Sequence, residues 1–96
     1  MINNSTKRVF TVYILQSVKD GKYYTGYSGN LNRRLAEHGN GKVKSTKNRR
    51  PLKLVFTKVF DDRSEACRFE RYLKSPEGGA KKAELIKNFR SCSLII

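Results

Sequence analysis

The sequence predicts a small α+β domain: a three-stranded, largely antiparallel sheet flanked by helices, in the order β-β-α-β-α-α. Three observations predict it. Two runs rich in β-branched and aromatic residues, 9–15 and 23–27, flank the turn signal Asp20-Gly21. Two later stretches, 31–38 and 64–74, space their apolar residues three and four apart, as helices do. A third strand-like run, 52–60, lies between them.

In the first strand Phe10, Val12 and Ile14 share one face, and Thr11, Tyr13 and Leu15 the other. Tyr24 lies on the returning strand, so it neighbours Tyr13; whether the two share a face depends on register, which sequence leaves open. Ser28-Gly29-Asn30 breaks the strand, and Asn30 is the expected cap of the first helix. There Leu31 and Leu35 face inward, while Arg34 and His38 project together one turn apart. Gly39-Asn40-Gly41 stops the helix. The second helix is expected to be capped by Ser64, with Ala66, Phe69 and Leu73 inward. Pro76 to Gly79 breaks it. A last helix, about 80–89, is expected to pack through Ala83, Leu85, Ile86 and Phe89 with its lysines in solvent. The domain is expected over 9–90, with a flexible start at 1–8 and a tail at 91–96.

Ninety-six residues suit one domain with a modest core. A formal net charge of +13 favours a polyanion partner. No basic helix rich in Trp, Phe or Leu points to a membrane surface, and no apolar run approaches a span. Cys67 and Cys92 lie far apart, outside any zinc spacing, and are expected as free thiols. The start lacks the features of a secretion signal. The expected location is the cytoplasm.

Each candidate site residue has an ordinary reading. Tyr13 and Tyr24 suit a sheet core as amphipathic aromatics. Arg34 suits a solvated helix surface, and His38 a helix C-terminus. Glu70 precedes Lys74 by four residues, a weakly favourable pairing, yet it sits beside the inward stripe, where a carboxylate is costly unless paired or metal-bound. Asp61 and Asp62 are alternative acids near a helix start. Lys42, Lys44, Lys47, Arg49 and Arg50 form a run without an acid, suited to phosphates rather than to base readout. Lys81 and Lys82 extend that footprint.

Taken together the residues resemble the GIY-YIG nuclease superfamily, and within it the small single-domain bacterial proteins. Thr11-Val12-Tyr13 stands at the first triplet and Tyr24-Thr25-Gly26 at the second. Arg34, His38 and Glu70 follow at matching places, and Lys44-Ser45-Thr46-Lys47 and Arg50-Pro51-Leu52 are similar to that subgroup's loop. The resemblance spans about 9–75. Thr11 departs from the glycine of the first triplet. The resemblance implies a Mg²⁺-dependent DNA endonuclease, with Mn²⁺ as a substitute ion, acting in repair or recombination; with no recognition helix or zinc finger apparent, weak sequence preference is expected, with some selectivity for DNA structure. It implies Tyr13 as base or water-aligning group, Tyr24 on water or phosphate, Arg34 on the phosphate, His38 in proton transfer or phosphate contact, and Glu70 on the metal. The competing readings are a catalytically weak module that binds DNA or RNA through its basic face, and a small RNA-associated protein. A protein partner or homodimer stays open.

Overall fold

The computed structural model describes residues 8–89 and 94–96. Cys92 lies outside them, as does most of the start expected to be flexible; Cys67 is a free thiol. Three strands, β1 (Phe10–Ser17), β2 (Tyr23–Ser28) and β3 (Leu52–Phe60), alternate with α1 (Leu31–Gly39), α2 (Arg63–Lys74) and α3 (Gly79–Asn88) in the expected order. Short 3₁₀ turns at Lys47–Arg49 and Pro76–Gly78 join them.

The sheet is antiparallel in the order β2-β1-β3, so β1 is central. That explains why β1 is buried on both faces instead of alternating with solvent. Phe10, Val12 and Ile14 join Ala66 and Leu73 of α2 in one cluster, with Leu85 and Ile86 of α3 against it. Tyr13 and Leu15 join Leu35 of α1 and Leu52 in another. The sheet is therefore sandwiched, with α1 on one face and α2 with α3 on the other. A bulge inserts Val55 between the Ile14–Phe56 and Leu15–Leu54 pairs. Val55 and Phe56 consequently both join the α2 side.

Local chemistry sets the ends. Asn30 caps α1 as expected, its side chain accepting from the Arg33 backbone N–H. α2 departs from expectation. Its cap is Asp62, which accepts from the Ser64 N–H, because a carboxylate two residues earlier outcompetes the serine for the free amides. α3 departs too. Ala83 is exposed, and Lys82 is half-buried with Nζ 5.6 Å from the Tyr23 ring centre, because the helix rests on the sheet through Leu85, Ile86 and Phe89. Within the expected tail at 91–96, residues 94–96 are described and lie along β3. Leu52 and Ile96 exchange backbone hydrogen bonds, and the Leu54 N–H donates to the Leu94 carbonyl, which covers the open edge of β3. No helix among the described residues is long and apolar enough to cross a membrane.

Candidate active site

Register decides the site. Tyr13 faces Gly26 across the β1–β2 ladder, and Leu15 faces Tyr24. Both tyrosines therefore point to the α1 face, with ring centres 6.3 Å apart. Gly26 makes this approach possible. A Cβ there would lie 2.8 Å from the Tyr13 hydroxyl and 3.1 Å from the Tyr24 ring. Thr11 lies buried in the central strand opposite Ser28, and its β-branch suits that place.

α1 lowers His38 onto the two rings. The imidazole is fully buried, with its centre 5.7 Å from Tyr13 and 5.0 Å from Tyr24. Its Nε2 is 2.9 Å from the Tyr13 hydroxyl, and its Nδ1 is 2.8 Å from Thr46 Oγ1. One proton assignment satisfies all groups. Thr46 donates to the Val43 carbonyl, a long contact at 3.5 Å. The His38 Nδ1–H donates to Thr46, leaving Nε2 to accept from Tyr13.

The electrostatics keep this cluster neutral. Burial pushes the Tyr13 phenol up to about 12, the Tyr24 phenol adds to the rise, and the adjoining Arg34 guanidinium opposes it. Burial, then the Arg34 charge, lowers His38 to about 4, against the opposing pull of Glu37. Arg34 is held firmly protonated, first by its hydrogen bond to Glu37, with Tyr13 and Tyr24 contributing. Its Nη1 lies 3.0 Å from Glu37 Oε1, and both side chains are about one-third exposed (36% and 34%). The guanidinium thus lies beside the phenols with one side open to a ligand.

Glu70 approaches from elsewhere. It projects from α2, in the helix layer on the opposite face of the sheet from α1. Its carboxylate is only 12% exposed and pairs with Lys74 Nζ at 2.6 Å. The structure thus gathers Tyr13, Tyr24, Arg34 and His38 into one cluster, while Glu70 is contributed by a different helix, α2, and is paired there with Lys74. Among the described residues no group of three or more His, Cys, Asp or Glu side chains could hold a metal ion. An ion would take Glu70 as its protein carboxylate, with waters and a substrate phosphate completing the shell. One hard oxygen donor of this kind fits Mg²⁺.

The basic run divides in two. Lys42, Lys44 and Lys47 are exposed. Arg49 pairs with Asp20 of the hairpin at 3.6 Å, an acid outside the run. Arg50 donates to the carbonyls of Gly39 and Lys47, closing the end of α1 onto the loop. Three participants escaped sequence reasoning. Glu37 had a legible signal, lying three residues after Arg34. Gly26 had only its place in a triplet. Thr46 had only its place in the Lys44-Ser45-Thr46-Lys47 segment, since a threonine among lysines otherwise reads as surface.

Residues 9–83 match the model of the GIY-YIG catalytic domain. The protein belongs to the GIY-YIG family. A UPF0213 protein of Staphylococcus saprophyticus is 43% identical over 65 residues, covering 67% of this chain and 78% of that one. A UPF0213 protein of Halobacterium salinarum is 42% identical over 73 residues, covering 75% and 94%. The solution NMR structure of a UPF0213 protein from Bacillus halodurans aligns with a TM-score of 0.51 at 39% identity, over 80% of this chain and 84% of that one. The GIY-YIG assignment places the chain in a nuclease superfamily, whose substrates are nucleic acids.

Proposed function

We propose that this GIY-YIG domain is a Mg²⁺-dependent endonuclease that hydrolyses DNA phosphodiester bonds, with weak sequence preference and selectivity for DNA structure, in repair or recombination. The observation that carries this reading is the Tyr13 hydroxyl set 2.9 Å from a buried imidazole, with the Arg34 guanidinium beside it. Tyr13 aligns the attacking water. Its own proton passes to His38 Nε2 only as the proton of the water arrives. Burial raises the phenol and lowers the imidazole, so full transfer in the free protein is strongly uphill and no phenolate waits there. A bound phosphate makes the imidazole more basic, and Arg34 favours the phenolate. Arg34 also meets the charge that develops on the non-bridging oxygens. Mg²⁺ held by Glu70 would supply charge stabilisation at the leaving oxygen. Lys42, Lys44 and Lys47 would hold flanking phosphates.

A second reading, a nucleic-acid-binding module with feeble catalysis, is favoured by one observation: Glu70 is already engaged by Lys74, in the layer opposite α1. The experiment that separates them is cleavage of labelled supercoiled, single-stranded, flapped and four-way-junction DNA, with Mg²⁺ or EDTA. The endonuclease reading expects Mg²⁺-dependent cutting, reduced about a hundredfold or more by Arg34→Ala and abolished by Glu70→Ala, with binding retained. Binding without cutting on every substrate would establish the module instead.

A further inference from the structure

A second concentration of chemistry lies on α2, away from the tyrosine cluster. Arg63, Cys67 and Arg71 recur every four residues along one stripe of the helix, and Arg68 adjoins them. With Tyr27 of β2 they line a cleft of about 350 Å³. No acid lines it, and among the described residues none of the three arginines is ion-paired with a carboxylate. Arg63 is steadied instead by the Phe10 ring, 5.4 Å away. In a chain that pairs Arg33, Arg34 and Arg49 with acids, three unpaired guanidiniums around one cleft stand apart.

Arg68 also lines a second, more open hollow of about 380 Å³, formed with Phe60, Phe69 and Tyr72 and rimmed by Glu65. Tyr72 is 42% exposed. Guanidiniums beside an exposed aromatic ring are what a single strand needs, phosphates on the first and a base on the second. A duplex keeps its bases stacked inside and cannot use the ring.

We propose that the outer side of α2 binds a single-stranded nucleic-acid segment, with phosphates in the Arg63–Arg68–Arg71 cleft and a base against Tyr72 and Phe69. The segment belongs to the same molecule that the tyrosine site engages. β2 is the edge strand, and its two faces carry the two sites: Tyr24 faces α1, and Tyr27 packs on the α2 side. A strand passing over that edge meets both. This step rests on the nucleic-acid reading of the tyrosine site.

The test is binding of a fluorescently labelled oligothymidylate, and of a duplex of equal length, in EDTA so that nothing is cut. Arg68→Gln with Arg71→Gln is expected to weaken single-strand binding about tenfold or more. It should lower the slope of log affinity against log salt by about 1.4. Arg68→Lys with Arg71→Lys should keep that slope. Tyr72→Ala should weaken the single strand about tenfold, roughly the effect of one stacked base, and leave the duplex unchanged. Thermal unfolding confirms that each variant is folded. Unchanged single-strand affinity in the glutamine variant overturns the proposal, as does an equal loss for duplex and single strand in Tyr72→Ala. Cleavage of the same DNA in Mg²⁺ is scored separately. A protein that binds through α2 and cuts nothing keeps this site and loses the endonuclease reading. A protein that cuts DNA with unaltered α2 variants does the reverse.

Discussion

The two faces of the sheet solve opposite problems. On the α1 face the polar groups are buried and matched one to one: Tyr13 to His38, His38 to Thr46. On the outer side of α2 three exposed arginines stand around an open cleft, none of them ion-paired with a carboxylate among the described residues. The first arrangement fixes atoms in place and tunes their acidity. The second supplies charge without fixing position. A phosphodiester enzyme has use for both, positioning at the scissile bond and adhesion along the strand.

The sharpest contrast is in pH dependence. His38 is held near 4 in the folded protein against about 6.5 when unfolded. A lowered histidine favours folding when neutral, so its contribution is complete above 6.5. It drains away as pH falls from 6.5 towards 4, by about 3 kcal/mol in all. Urea unfolding across that window should show this loss, and His38→Gln should remove it. A wild type with flat stability between pH 6.5 and 4 would erase the distinction between the faces.

Packing is the next point of attack. Gly26→Ala pushes a methyl to 2.8 Å from the hydroxyl of the fully buried Tyr13 and to 3.1 Å from the partly buried Tyr24 ring. A loss of about 1–3 kcal/mol in stability is expected, with cleavage reduced as well. Gly79→Ala, with nothing within 4 Å of the added carbon, is the control and should be neutral or mildly stabilising.

The smallest effect belongs to the loop. Lys44→Gln with Lys47→Gln leaves the buried anchors Val43 and Thr46 in place. Duplex affinity should weaken several-fold, with the salt slope lower by about 1.8 and turnover at saturating DNA unchanged. A lowered turnover would move these lysines from adhesion into the chemistry.

Much of the α1 face was legible in sequence, and the reason is periodicity. Alternation placed Tyr13 opposite Val12, and helical spacing placed Arg34 beside His38. Leu52 to Phe60 is the third strand at the expected bounds. Register was not legible, because it depends on the hairpin connection and on a bulge at Val55 that no local signal marks. Nor was the division of the basic run, since Arg49 finds Asp20 and Arg50 finds Gly39 only through the fold. The burial of Glu70 follows from which face of the sheet α2 covers, a tertiary fact. The cap of α2 was misplaced by two residues because Asp62 and Ser64 are both good caps, and sequence does not rank neighbours that close.

The central claim is that the Tyr13 hydroxyl, held by His38, acts on the attacking water. Single-turnover cleavage of the preferred DNA by Tyr13→Phe tests it most directly, with DNA binding and thermal unfolding measured alongside. Loss of cutting by about a hundredfold or more is predicted, in a variant that stays folded and binds DNA as the wild type does. Cutting at the wild-type rate without that hydroxyl would contradict the account.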